Sequence, residues 1–216
     1  RHAAIQVRYV EDSMSIRNLE RIFSPKAIAV VGASDDEQSV GYTLFRNLRS
    51  SGFAGSVFPV NPRRDTVQGV RAFPTVEGLP EAVDLAVVAS PAASVPDVIE
   101  QCGKAGIPGV IVTTAGFREV GEEGKKMEQE MLRRAKPYGL RIIGPNCLGL
   151  IVPSLKLNAS FGARMPLDGH VAFLSQSGAL CTAVVEWAND NRIGFSHFVS
   201  VGSMIDVDFG DLIDYF

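Results

Sequence analysis

The sequence predicts an α/β protein built on a doubly wound parallel sheet, and three observations predict it. Short runs of β-branched and small apolar residues alternate with helical patterns along most of the chain. The first run, A-I-A-V-V at Ala27, ends abruptly in Gly32-Ala33-Ser34, and a helical pattern opens at Ser39-Val40-Gly41. The stretches after the expected strands (32–41, 61–64, 90–91, 113–117 and 144–147) are all rich in Gly, Ser, Thr, Asn or Pro. Ligands of such sheets sit beyond the carboxyl ends of the strands, so that coincidence marks a site.

Composition narrows the class. At 216 residues, 46% hydrophobic and 21% charged, the chain can bury a sizeable core, in one large or two small domains. Its net charge of −3 argues against a general nucleic-acid binder, because no basic excess neutralises phosphates. No apolar run approaches the ~20 residues that span a bilayer, and the polar opening has no signal-peptide core. Cys102, Cys147 and Cys181 are isolated, without disulfide or metal spacing, so a reducing cytoplasm is the expected compartment. Opening on Arg1 suggests a fragment or a processed chain, and residues 1–15 show no clear period.

In chain order, Ile16, Leu19, Ile22 and Phe23 predict one side of a short helix that Ser24-Pro25 ends. After the glycine turn, Val40, Leu44 and Leu48 give a helix with one apolar face. Free N–H groups at its start suit an anion, and glycine lets a phosphate approach the backbone. V-F-P-V ending at Val60 is the second strand, followed by Asn61-Pro62-Arg63-Arg64. An NAD site would carry an acid there. Two arginines suit a ligand with an additional ribose phosphate, or form a solvated basic loop.

Residues 69–73 form a short extra strand. The third main strand is L-A-V-V-A from Leu85, bounded by Ser90-Pro91, and Val95, Val98, Ile99 and Cys102 give the next helix its core stripe. V-I-V-T-T from Val110 is the fourth. The following helix places Glu122 and Glu123 early and Arg133, Arg134 and Lys136 late, complementing its dipole. Met127, Met131, Leu132 and Ala135 are its buried side, and residues 140–143 make the fifth strand, leading into G-P-N-C-L-G. Residues 152–168 look like a linker. The rhythm restarts with V-A-F-L at Val171 and the turn Ser175-Gln176-Ser177-Gly178. Leu180, Ala183, Val184 and Trp187 form the expected stripe of the next helix, and 195–200 is a further strand. Two such units cannot close a domain, so a second domain is expected to be cut short.

Several constellations carry chemistry or a plain structural role. S-Q-S-G offers hydroxyls and N–H groups at a helix start: a phosphate site, or an ordinary serine cap. Cys147 beside Asn146 lacks a nearby histidine in sequence to activate it, so it is read as passive lining. His197 reads as structural and His170 as exposed, while His2 belongs to no motif. Asp206, Asp208 and Asp211 are an acidic group, or a solvated loop and helix start. An NADP-dependent oxidoreductase fits poorly, without G-x-G-x-x-G or an evident catalytic acid or base.

Together V-G-A-S…S-V-G, V-N-P, the Ser-Pro, T-A-G-F, G-P-N-C-L-G, L-N-A-S-F, S-Q-S-G-A-L and D-V-D-F-G-D-L-I-D-Y resemble the α part of ADP-forming (NDP-forming) acyl-CoA synthetases. These are acetate–CoA ligase-like relatives of succinyl-CoA synthetase. The chain is similar almost equally to the synthetase-like half of bacterial protein lysine acetyltransferases, where it would serve as a CoA- or acetyl-CoA-sensing module. The resemblance implies an unassigned segment at 1–15, a Rossmann-type CoA-binding domain at 16–151, a linker at 152–169, and a truncated flavodoxin-like domain at 170–216.

It also implies roles. Gly32, Ala33, Ser34, Ser39 and Gly41 would hold the CoA phosphates, and Val60, Asn61, Pro62 and Arg63 would flank the adenosine end. Ser90, Pro91, Thr113, Thr114 and Ala115 would line the pantetheine, with Asn146 and Cys147 towards the thiol. Ser177 and Gly178 would bind a phosphoryl group. No residue here is expected to be catalytic, since the family's phosphohistidine lies further along, and no metal ligand is expected. ATP/ADP and Mg would act through an ATP-grasp β part in this or another chain. The implied reaction joins a carboxylate to CoA at the expense of ATP, through an acyl phosphate. The acyl substrate is not identifiable, and a homo-oligomer is left open.

Overall fold

The computed structural model describes residues 15–216, so all but Ser15 of the unassigned segment 1–15 lies outside the described residues. The elements run α1 (Leu19–Phe23), β1 (Ala27–Val31), α2 (Val40–Ser50), β2 (Ser56–Val60), β3 (Thr66–Val67), β4 (Val70–Arg71) and β5 (Leu85–Val88). There follow α3 (Val95–Lys104), β6 (Gly109–Val112), α4 (Glu122–Ala135), β7 (Arg141–Ile143), β8 (Gly149–Val152), β9 (Leu157–Ser160), β10 (Leu167–Ser175), α5 (Gly178–Asp190), β11 (Gly194–Ser200) and α6 (Phe209–Tyr215).

The first sheet has the order β2-β1-β5-β6-β7, parallel throughout. Both of its faces are covered, which is why its strands are continuous apolar runs. Ile28, Val30, Leu85, Val87, Ile111 and Ile143 face α1, α2 and the second sheet. Ala29, Val31, Ala86, Val88, Val110 and Ile142 face α3 and α4. The extra strand expected at 69–73 is β4, paired in a small hairpin with β3.

The second sheet has the order β10-β11-β8-β9 and is mixed: β10 and β11 run parallel, and the rest antiparallel. Here the structure corrects the sequence reading. The stretch expected to be a linker, 152–169, contains β9, all of it buried, and the expected boundary at 151 falls inside β8. Leu157-Asn158-Ala159-Ser160 carries no apolar run, yet its polar groups are satisfied. Ser160 Oγ donates to Asn158 Oδ1 at 2.7 Å, and Asn47 Nδ2 of α2 donates to Ser160 O at 2.9 Å.

Two helix faces also differ from expectation. On α2 the large buried apolar residues are Leu44, Phe45 and Leu48, whereas Val40 is 40% exposed. On α5 they are Cys181, Val185 and Ala188; Leu180 is 51% and Trp187 59% exposed. That helix is apolar around most of its girth, so periodicity alone could not choose the inward side.

The two sheets are tied at β7. The segment 201–208 runs along this edge strand, with Ile205 N–H donating to Gly144 O at 3.2 Å and Val207 N–H to Ile142 O at 3.1 Å. Arg141, buried, donates to Asp206 at 3.0 Å and to Asp211 at 2.6 Å. Asp208 caps α6 in a reciprocal box with Asp211. The acidic group at 206–211 is therefore a structural clasp. Among the described residues no helix is long and apolar enough to cross a membrane.

Candidate functional site

The strand order of the first sheet reverses beside β1, since the chain passes from β1 to β2 on one side and returns to β5 on the other. Such a switch point opens a crevice at the carboxyl ends. A cleft of about 610 Å3 lies there, within the usual ~300–1,000 Å3 of small-molecule sites. Ten of the expected residues line it: Gly32, Ser34, Ser39, Gly41, Val60, Asn61, Pro62, Arg63, Ser90 and Pro91.

The glycines serve the fold before any ligand. Gly32 has φ +89°, and a Cβ there would stand 2.8 Å from the backbone of Ala89 and Ser90. A Cβ on Gly41 would stand 1.9 Å from Gly32 O. Absent side chains let α2 seat its first turn against the β1 turn, which aims the helix N-terminus into the cleft. Ser39 caps α2, its Oγ accepting from Tyr42 N–H at 3.1 Å. Among the described residues the N–H groups of Val40 and Gly41 have no acceptor, as expected of a first helical turn. Free N–H groups at a helix start that lines a cleft suit an anion.

Two further residues hold the loop in shape. Asn61 Nδ2 donates to Ala33 O at 2.8 Å, and its Oδ1 accepts from Arg63 N–H at 2.9 Å. Gln68, which sequence reasoning missed, donates from Nε2 to Ser34 O at 3.1 Å and Tyr42 O at 3.0 Å. Asn61 is thus a clip whose polar atoms are already engaged, while Arg63 is exposed on the cleft wall. Pro74, Thr75, Ser94, Asp97, Val98 and Gln101 also line the cleft. No local pattern marked them as site residues, because they come from the β3–β4 hairpin's exit, from the turn before α3 and from α3 itself.

The remaining expected residues do not line this cleft. Ala33 is buried, and Thr113 is buried with its Oγ1 donating to Val88 O at 2.9 Å. Cys147, expected to line the site, faces the core instead. It is 3% exposed, its Sγ donates to Val112 O at 3.3 Å, and burial pushes its pKa up to about 12. A thiol held so far above neutral pH is no nucleophile.

What those loops do form is a rim. Thr114 Oγ1 donates to Ser90 O at 2.7 Å, and Asn146 N–H donates to Thr114 O at 3.0 Å. Ser203 N–H donates to Pro145 O at 2.9 Å, and Gln176 Nε2 reaches Gly202 O at 3.5 Å. The rim leads from the cleft, past exposed Ala115 and Asn146, to the start of α5. There Ser177 Oγ accepts from Leu180 N–H at 3.2 Å, an N-cap directly before Gly178. The two ends of the expected site are thus joined through the β6 and β7 loops.

His197 does not take part. It is half-buried against Phe216, with ring centroids 4.4 Å apart, and against Phe23 at 5.6 Å. Burial lowers its pKa, opposed by the charge of Glu20. His170 is exposed.

Comparison with known proteins bears on this geometry. Residues 26–153 match the family model described as CoA binding domain, and residues 168–216 the one described as succinyl-CoA ligase like flavodoxin domain. The chain is 47% identical over 197 residues to the α subunit of acetate–CoA ligase [ADP-forming] II of Pyrococcus furiosus, covering 91% of this chain and 43% of that one. It is 47% identical over 192 residues to 4-hydroxybutyrate–CoA ligase [ADP-forming] of Nitrosopumilus maritimus, covering 87% and 27%. The structure of a dinucleotide-forming acetyl-coenzyme A synthetase 1 from Ca. Korarchaeum cryptofilum, with phosphate and ADP, superposes with a TM-score of 0.87 at 47% identity, covering 91% of this chain and 42% of that one. The chain therefore spans less than half the length of these relatives. Every residue lining the cleft falls inside the 26–153 match, and on that agreement of sequence and geometry the chain belongs to the CoA-binding domain family, continued by a succinyl-CoA-ligase-like stretch.

Proposed function

We propose that this chain is the CoA-binding portion of an ADP-forming acyl-CoA synthetase. The observation that carries the reading is the cleft at the switch point of the first sheet, contained wholly within the CoA-binding match. In this reading the CoA phosphates meet the N–H groups of Val40 and Gly41 at the start of α2. Arg63 neutralises the ribose phosphate. The pantetheine arm follows the rim past Ser90, Thr114, Ala115 and Asn146, which brings the thiol towards Ser177 and Gly178. The α5 N-terminus there stabilises phosphoryl charge as the acyl phosphate is attacked, and inorganic phosphate is the leaving group.

The intact protein would convert carboxylate, CoA and ATP to acyl-CoA, ADP and phosphate. ATP, ADP and Mg would be held by an ATP-grasp part, in the same or another chain, with a phosphohistidine outside this sequence. The acid is not encoded in the cleft, in keeping with two 47% identical relatives named for different acids. A cytoplasmic setting and self-association belong to the same proposal.

Calorimetry with CoA and dephospho-CoA tests it. A charge-assisted hydrogen bond contributes ~1.5–3 kcal/mol, so loss of the 3′-phosphate should weaken binding about tenfold or more, and Arg63→Ala should remove that difference. Equal affinity for both ligands would end the role given to Arg63, and no binding of CoA would end the reading as a whole.

A further inference from the structure

We propose that Gln101 of α3 reads the adenine edge of CoA and makes the cleft selective for an unmodified adenine; the inference rests on the CoA reading. The cleft has two chemically different walls. One carries the α2 N-terminus and Arg63, which suit anions. The other is α3, where Asp97 and Gln101 lie one turn apart on the same face and both line the cleft. Asp97 is not a free charge there, because Arg134 of α4 donates to its Oδ1 at 2.5 Å. This wall offers no cation to a phosphate.

Pro62, Pro74 and, on α3, buried Val98 give the cleft apolar surfaces suited to a planar ring. Pro62 directly follows β2 and Asn61, and the end of that strand is where the strand order places the adenosine end of a nucleotide. Gln101 is half-buried, and among the described residues its carboxamide has no hydrogen-bond partner. Its polar neighbours in the cleft lining are otherwise engaged: Ser94 with Ser90 at 3.0 Å, Asp97 with Arg134. A carboxamide is the side chain that can accept from the exocyclic amine of adenine while donating to the adjacent ring nitrogen. Asp97 adds an acceptor beside it.

The test compares CoA with 1,N6-etheno-CoA, in which a bridge removes the amine hydrogens, on the full chain and on Gln101→Ala and Gln101→Glu. Both substitutions keep a good helix former at a surface-facing position, and circular dichroism confirms that they fold. The wild type should bind CoA about tenfold or more tighter than etheno-CoA, the scale of one bidentate base contact. Gln101→Ala should lose about that factor for CoA and bind the two ligands alike. Gln101→Glu, which keeps the acceptor and loses the donor, should fall between. Equal wild-type affinity for both ligands, or an undiminished preference for CoA in Gln101→Ala, overturns the inference and leaves the CoA reading standing. Failure of the wild type to bind CoA overturns both.

Discussion

Leu85 opens β5 and Leu167 opens β10; both begin a parallel strand, yet the first is fully buried and the second 47% exposed. The contrast extends to whole elements. Every residue of β1, β5 and β6 is buried, whereas β10 is largely exposed and Val171 in its middle is 51% exposed. Beside β10, α5 turns Leu180 and Trp187 to solvent. The first sheet is covered on both faces and flanked by neighbours, so its apolar content is consumed by packing. The outer margin of the second sheet mixes polar and apolar residues and, among the described residues of a chain that spans less than half the length of its relatives, stands exposed. An apolar strand run thus guarantees a strand, but burial comes from what the rest of the fold brings up to it.

The largest expected effect comes from breaking the joint between these regions. Arg141 is 4% exposed and donates to Asp206 and Asp211. Removing one partner of a buried ion cluster costs ~3–5 kcal/mol. Arg141→Ala should lower the denaturation midpoint accordingly, and amide exchange should show the second sheet opening before the first. Equal loss of protection in both sheets would mean that they unfold as one unit and that the contrast is only one of exposure.

A matched pair measures the contrast directly. Leu85→Ala removes fully buried methyl groups and should cost ~2–5 kcal/mol. Leu167→Ala, at 47% exposure, should stay within about 0.5 kcal/mol. Denaturant unfolding of the two variants decides it; similar losses would show that β10 is covered in solution.

The same contrast explains what the sequence made legible. The five strands of the first sheet were readable because each is a β-branched run bounded by Gly, Pro or Asp, as at Asp84 and Ser90-Pro91. The glycine turn and the core stripe of α3 were readable for similar local reasons, whereas the capping role of Ser39 came only with the structure. Strand β9 was not, because its burial depends on Asn158, Ser160 and Asn47 satisfying one another across distant stretches. The cleft itself was half legible. Loops that follow strands announce themselves by composition, but Gln68 and Gln101 owe their places to the β3–β4 hairpin and to the phase of α3. Cys147 misled because a loop at a site can still turn its side chain inward.

Chemistry at the buried thiols gives a smaller effect. Burial raises the pKa of Cys102 and Cys147 to about 12 each and also raises that of Cys181. Thiolate is the reactive form, so a native-state titration with a disulfide reagent at mild alkaline pH should show no fast-reacting thiol, and all three should react in denaturant. Rapid labelling of Cys147 would return it to the rim.

His197 should add a modest pH dependence. Its folded pKa lies below the unfolded value because burial penalises the charged ring. The unfolded chain then binds the proton more readily, so stability is complete above the unfolded pKa, about 6.5, and declines as pH falls through that value towards the folded one. His197→Gln should flatten that decline in thermal melts. An unchanged slope would place the acid sensitivity elsewhere.

The smallest expected change in stability belongs to the exposed margin, and it sharpens the comparison most cheaply. Trp187 is the chain's single tryptophan and is 59% exposed. Its fluorescence should be readily quenched by acrylamide, and Leu180→Glu or Trp187→Glu should shift stability by no more than about 0.5 kcal/mol. Both should, however, reduce any concentration-dependent association, because an apolar helix face beside an open strand edge is a surface prone to pairing. The shift in register between Asp168 and Ala172 already distorts that edge, a feature that discourages strand addition without removing the apolar side chains. If Trp187 resists quenching in dilute solution, the chain itself covers the margin there, and the asymmetry between the two sheets is smaller than their exposures state.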